Sequence, residues 1–410
     1  MYNLKYVFLC VITLISSGEA DRKNNIQFIE GLFYLDHSPI RIEIDGGKIK
    51  DIIRIKQLPE KQQDFYIAPG FIDNQVNGFN GVSFEEDGLT LEGIRKATKA
   101  LWRVGVTTYL PTVTSNERSL ILKNLSILEK AKKDTTSQGS IAGFHVEGPY
   151  ISAEDGYRGA HLLKFVRKPE WNEFMDFYEA SGRNILQITL APELEGAMDF
   201  ISKCREKNIV VAIGHHNASA KVVTEAVDRG ASTVTHLGNG IANSINRHIN
   251  PLWPQLADDR LMISIIGDGF HLLPEEIRVF YKVKGPSKTI ITSDVTSYAG
   301  MPADKYETAE GELIELTSEG ALRYPAQNVL YGSASPITKG VGNIMKVTGC
   351  NLGEAVQMAS SNPAKLYGLT DRGEIKPGMR ADLILFTMEH FTINIKKTIV
   401  GGKVVYDAPK

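Results

Sequence analysis

Gly143-Phe-His-Val-Glu147-Gly-Pro149 is a short, mostly apolar run ending in a carboxylate, and four later stretches share its form. They are Val211-Ala-Ile-Gly-His215-His216, Thr233-Val-Thr-His236-Leu-Gly-Asn239, Ile265-Ile-Gly-Asp-Gly-Phe-His271 and Ile290-Ile-Thr-Ser-Asp294. In each, a polar group stands at the C-terminal end of a strand-like run. A (β/α)8 barrel keeps its active site at such ends, because the βα loops converge there on one mouth. One carboxylate, two or three imidazoles and a late aspartate so placed describe a metal site with a base beside it.

Around these stretches the middle of the chain alternates strand-like and helix-like segments, as a barrel requires. Ala68-Pro-Gly-Phe-Ile-Asp73 opens the series. A helix is expected over Leu91–Arg103, a strand over Thr107–Thr112, and a long helix from Glu117 to Lys133 with Ser115 as the candidate N-cap. Further strands are expected at Ile141–Glu147, Ile185–Ala191, Val210–Ile213, Thr233–His236, Met262–Ile266 and Thr289–Thr292. Helical stretches fall at Ala197–Lys207 and Lys221–Arg229, with late outer helices at Leu352–Ser360 and Pro363–Tyr367. The two ends have another texture. Ile26–Glu30, Ile40–Ile44 and Ile49–Ile55 are β-rich, as are Ala381–Phe386, Lys397–Val400 and Gly401–Tyr406. The fold class is therefore α/β: a TIM-like (β/α)8 barrel over residues 69–374, with a small β-sandwich domain built from residues 21–68 and 375–410.

The chain has 410 residues, 42% of them hydrophobic and 23% charged, enough for one barrel and a smaller unit. A formal net charge of −2 argues against a broad nucleic-acid surface, though not against a local basic pocket for a small anion. Residues 1–20 combine a basic start, the apolar run Tyr6–Ser16 and small residues at Gly18 and Ala20. They read as a secretory signal, too short for a comfortable membrane span, so no stable membrane insertion is expected. That start suggests a secreted or periplasmic protein. Its removal would leave Cys204 and Cys350, which form neither a disulfide framework nor a zinc pair.

Glu147, His215 and His236 supply oxygen and nitrogen ligands from three strand ends, leaving a position for water. His216 competes with His215, but adjacent residues point in opposite directions, and His215 directly follows the apolar run. Asp294 could cap the following segment. Beside a metal it is better suited to take a proton from water and return it to a leaving amine. Asn239, Gly240, Arg247 and His271 could build an anion pocket, Gly240 by close backbone approach and Arg247 by its planar fork. Equally, Arg247 could be a surface ion pair and His271 a packed residue.

With these motifs the chain resembles the N-acetylglucosamine-6-phosphate deacetylases of the amidohydrolase superfamily. The matching segments run from Pro69-Gly-Phe-Ile-Asp73 to Arg380-Ala-Asp-Leu383. The specific ones are His145-Val-Glu-Gly-Pro149, Gly214-His-His-Asn-Ala218, Thr235-His-Leu-Gly-Asn239, Asp268-Gly-Phe-His271 and Asn362-Pro-Ala364. The resemblance implies Glu147, His215 and His236 as ligands of one divalent ion, zinc first, with Fe2+, Co2+ or Mn2+ as alternatives. It implies Asp294 as the acid/base. Ala160, His161, Asn239, Gly240, Arg247, His271, Leu330, Tyr331 and Gly332 would contact an amino-sugar phosphate, Arg247 across a homodimer interface in some members. The superfamily's first strand often ends in a His-x-His pair for a second metal. Here Gln75 and Asn77 stand there and are assigned to the substrate pocket, which matches a single-metal branch.

Four positions depart from the family: His216 replaces a usual Ser, Gly238 and Gly240 in Gly238-Asn-Gly240 replace the Tyr and Ala of a usual Tyr-Asn-Ala, and Tyr331 replaces a small residue. The implied function is hydrolysis of the N-acetyl group of N-acetylglucosamine 6-phosphate. Sugar phosphates are mainly cytoplasmic, so the resemblance and the signal-like start pull localisation in opposite directions. The alternatives are an exported paralogue acting on another N-acetylated sugar or N-acyl amine, and a sugar-binding protein without catalysis. The complete ligand set and Asp294 disfavour the latter. A dihydroorotase-like cyclic amidase is weaker still, for want of the His pair.

Overall fold

The computed structural model describes residues 27–308, 311–326 and 329–409; the signal-like segment 1–20 lies outside them. Eight parallel strands form the central sheet: β1 (Phe71–Val76), β2 (Val106–Val113), β3 (Phe144–Glu147), β4 (Ile185–Leu190), β5 (Val210–Ile213), β6 (Ala231–Val234), β7 (Met262–Ile266) and β8 (Thr289–Thr292). Each pairs with its neighbour in sequence. The ring closes by a parallel bridge between Val76 and Val295. Asp73 Oδ1 reinforces that seam by accepting from the Ser293 amide at 3.1 Å. Every residue of β1, β2, β3, β7 and β8 is buried. Strands covered on both faces read as continuous apolar runs, which is why they are visible in the sequence.

Eight helices follow the strands: α1 (Leu91–Arg103), α2 (Arg118–Lys133), α3 (Trp171–Ala180), α4 (Ala197–Glu206), α5 (Ala220–Arg229), α6 (Leu252–Ala257), α7 (Pro274–Lys284) and α8 (Ile337–Thr348). In α1 the Thr90 side chain accepts from the Gly93 amide at 3.0 Å and caps the first turn. Ile94, Ala97, Thr98 and Leu101 make its buried stripe. Leu101 is 1% exposed, and truncating it to Ala would cost about 2–5 kcal/mol. Gly105 ends the turn at φ +80°, and a Cβ there would press on Ile395 of the small sheet. Helix α2 differs from expectation. It begins at Arg118 with Glu117 at the N-cap, while Ser115 is buried with its hydroxyl unpartnered.

Both chain ends enter one sheet. Its seven strands run in the order Lys403–Asp407, Thr392–Val400, Leu383–Glu389, Tyr66–Pro69, Gln27–Phe33, Pro39–Asp45 and Lys48–Arg54. The hydrogen bonds pass through all seven as one sheet. Its Lys48–Arg54 edge folds back on the C-terminal segment, where Lys48 bridges to Arg380 and Gly47 packs on the Gly401 carbonyl. The hairpin turn His390-Phe391 leans on α8 at Gly342, where any Cβ would collide with the Phe391 carbonyl oxygen.

An element absent from the sequence expectation lies between β8 and α8. Asp304–Glu307, Leu313–Leu316, Leu322–Tyr324 and Val329–Leu330 form a four-stranded antiparallel sheet. It returns to the barrel mouth: the Ser333 amide donates to the Asp294 carbonyl at 3.1 Å, and the Ser333 carbonyl accepts from Thr296 at 2.9 Å.

Candidate metal centre and catalytic site

Strand ends β3, β5 and β6 bring Glu147, His215 and His236 together. All three are buried, and their ligand atoms lie within 4.8 Å of one another. Glu147 Oε1 is 3.2 Å from His215 Nε2 and 3.0 Å from His236 Nε2; the two nitrogens are 3.1 Å apart. For metal bonds of about 2.0–2.1 Å the edges of a tetrahedron are about 3.3–3.4 Å, so one small cation fits this triangle. Lone-pair chemistry supports the fit. His215 Nδ1 donates to the Tyr157 carbonyl at 3.0 Å, so the neutral ring turns a bare Nε2 lone pair toward the carboxylate. Two lone pairs at that distance repel unless a proton or cation lies between them. With no cation there, a proton on the imidazoles takes that place: burial acts to raise the Glu147 pKa, but donation and positive charge from His215 and His236 outweigh it and hold the carboxyl well below its ordinary range.

The backbone at this mouth is unusual. His215, His236 and Asp294 have φ of 52°, 30° and 52°. Left-handed backbone in residues with a Cβ costs ~1–3 kcal/mol each. Here it turns the chain at the end of β5, β6 and β8 and carries each polar side chain into the site.

Asp294, 7% exposed, stands beside this cluster. Burial first, and then the charge of Glu147, push its pKa up to about 7. Gln75 and Asn77 hold the two carboxylates: Gln75 Nε2 donates to Glu147 Oε2 at 2.9 Å and Asn77 Nδ2 to Asp294 Oδ1 at 2.8 Å. Sequence reasoning placed these amides in the substrate pocket and missed their bonding to the carboxylates. It also missed Tyr157, and Glu85 in the loop after β1. Thr114 Oγ1 donates to Glu85 at 2.5 Å, and burial, with the charges of Glu86, Glu147 and Asp294, pushes its pKa up to about 8. No motif marks either residue. Beneath the mouth a polar chain crosses the barrel interior. His145 bonds Thr112 Oγ1 at 3.3 Å and Thr189 Oγ1 at 2.7 Å, and Thr189 bonds Thr235 at 2.7 Å.

Most of the other expected residues gather around the same mouth. The His161 ring meets the His215 ring edge-on at 4.6 Å, with Ala160 next to it. A Cβ on Gly240 would sit 2.7 Å from His215 Nδ1, so this glycine permits the close approach of the Asn239-Gly240 turn. Gly332 packs against Thr296 and the Asp294 carbonyl, placing Leu330-Tyr331-Gly332 at the rim. His271 Nδ1 bonds Asp268 Oδ2 at 2.8 Å, and Ser333 Oγ reaches the same carboxylate at 3.5 Å. Arg247 stands apart. It is exposed, and its guanidinium has no ion pair or hydrogen bond among the described residues. His216 is buried beside His215, with burial depressing its pKa to about 4.

Comparison with known proteins matches this arrangement. Residues 66–405 match the amidohydrolase family model. The chain is 30% identical over 353 residues to the N-acetylglucosamine-6-phosphate deacetylase of Danio rerio, covering 83% of this chain and 84% of that one. It is 28% identical over 342 residues to that of Lysinibacillus sphaericus, covering 83% and 85%. The crystal structure of the Thermotoga maritima N-acetylglucosamine-6-phosphate deacetylase superposes with a TM-score of 0.82 at 27% identity, over 93% of this chain and 100% of that one. The chain therefore belongs to the amidohydrolase family and, within it, to the N-acetylglucosamine-6-phosphate deacetylases.

Proposed function

We infer that this protein is a metal-dependent deacetylase that hydrolyses N-acetylglucosamine 6-phosphate to glucosamine 6-phosphate and acetate. The observation that carries the reading is the convergence of Glu147, His215 and His236 on one point with Asp294 alongside. Zinc suits this carboxylate and two-imidazole set. A divalent ion bound there lowers the pKa of water and polarises the amide carbonyl.

The chain's own groups do the rest. Gln75 holds Glu147 by its Oε2, leaving Oε1 toward the two imidazoles. Asn77 fixes the Asp294 carboxylate. Asp294 accepts the proton of the attacking water and then delivers it to the departing amine nitrogen. Asn77 Oδ1 is buried without a partner and serves as an acceptor for the substrate amide N–H. His161, Ala160, Asn239, Gly240, His271 and the Leu330-Tyr331-Gly332 rim bind the sugar phosphate. Exposed Arg247, beside Ile249 at 72% and Trp253 at 52% exposure, serves the phosphate site of the partner in a homodimer.

Acetate release by the purified protein over a panel of N-acetyl sugars, with and without the 6-phosphate, tests this reading. Preferred turnover of the 6-phosphate is expected. Equal turnover of the free sugars would replace the phosphate reading with that of a broader N-acetyl hydrolase.

A further inference from the structure

No helix or strand lies between Glu147 and Leu163, yet this stretch walls one side of the metal centre. The Ser152 amide donates to the His215 carbonyl at 2.9 Å. The Tyr157 carbonyl accepts from His215 Nδ1 at 3.0 Å, the bond that turns Nε2 toward Glu147. A Cβ on Gly159 would stand 2.9 Å from His215 Cε1, so the loop lies directly on that ring. His161 then meets the same ring edge-on at 4.6 Å.

Little buried surface holds this loop down. Within Ala153–His161 only Tyr157 is buried. A segment with so few buried contacts opens easily unless something ties it. The Arg158 guanidinium does so, closing the loop on itself. Its Nε donates to the His161 carbonyl at 3.1 Å, and one terminal nitrogen to the Ala153 carbonyl at 2.7 Å. Neither carbonyl has a backbone partner among the described residues. The other terminal nitrogen meets Asp155 at 2.6 Å. The Asp155 side chain is 92% exposed, so that ion pair contributes little. The clasp is the pair of carbonyls at the two ends of the loop, a task for a planar fork and not for a single ammonium.

We propose that Arg158 is a positioning residue of the site. By joining the Ala153 and His161 carbonyls it holds the Tyr157 carbonyl on His215 and the His161 ring beside it. The part played by His161 rests on the deacetylase reading above; the hold on His215 does not.

Arg158→Ala is tested by zinc titration of the metal-free folded chain and by kinetics on N-acetylglucosamine 6-phosphate. Zinc affinity is expected to fall about tenfold, the scale seen when a group supporting a metal ligand is lost. KM should rise by about the same factor, with kcat at saturating zinc within about threefold. Millimolar guanidinium, filling the vacated place, should restore most of both. A loss due only to a weakened fold would not recover, because guanidinium destabilises folded chains. Arg158→Lys keeps the charge without the fork, should stay near the alanine variant, and serves if that variant does not fold. Asp155→Ala removes only the exposed ion pair and should leave zinc affinity and KM within about twofold. Unchanged zinc affinity in the folded Arg158 variants, or no recovery with guanidinium, overturns the proposal. A wild-type chain that binds zinc but does not turn over N-acetylglucosamine 6-phosphate overturns the deacetylase reading alone, and the zinc titrations still decide the role of Arg158.

Discussion

His236 is the ligand whose loss best separates a metal site from a cluster of structural imidazoles, because its Nδ1 is buried without any partner. His236→Asn is expected to lose bound metal and activity together, measured by elemental analysis and acetate release. A metal-free variant with full activity would refute the metal reading. Asp294→Asn keeps size and polarity but no basic oxygen. Metal and substrate binding should persist, while kcat falls by about 10² to 10⁴, the worth of one positioned acid/base. The pH dependence follows from the same residue. Its carboxyl is raised to about 7 by burial and the charge of Glu147. The base must be ionised, so kcat/KM falls as pH drops through that pKa. A cation at Glu147 offsets the repulsion and lowers the pKa, so the acid limb is expected at or below about 7. A profile with its acid limb well above 7 would place the base elsewhere. His215 and Asp294 were legible in sequence because each ends an apolar run. The donors Gln75 and Asn77 fall at the expected strand end, but their partners lie 72 and 217 positions away, beyond any local pattern.

Among the elements, legibility followed burial. Val210–Ile213, Met262–Ile266 and Thr289–Thr292 match their expected bounds because apolar runs covered on both faces leave little freedom. Helix α1 also matches, its stripe and Thr90 cap being local signals. The inserted sheet was missed for the opposite reason. Asp304-Lys-Tyr-Glu307 is mostly exposed, carries no apolar alternation, and forms a strand only by pairing with Leu313–Leu316. Another element invites a stability test. The two-residue turn His390-Phe391 joins paired strands, with Glu389 opposite Thr392. Both turn residues have left-handed φ, 48° and 66°, a conformation that favours Asn-Gly. The double change His390→Asn, Phe391→Gly is expected to stabilise by about 1 kcal/mol, which in a chain of this length is a rise in Tm of about 1–2 °C. A fall in Tm would mean that the two lost side chains contribute more than the relief of the backbone.

For the molecule as a whole, Arg247 is the residue whose isolation matters. If it completes the site of a second copy, Arg247→Ala and Asp294→Asn are each impaired as homodimers, by different defects. Co-refolded together, they should form mixed dimers in which one site is intact, and activity should exceed the sum of the two parents. Activity equal to that sum would show that Arg247 acts within its own chain or not at all. The left-handed backbone at His215, His236 and Asp294 has a consequence of another kind. Glycine, and to a lesser degree asparagine, relaxes such positions. A library of variants sorted for heat resistance alone should therefore drift toward Gly or Asn at these three positions, enriching durable barrels that turn over nothing.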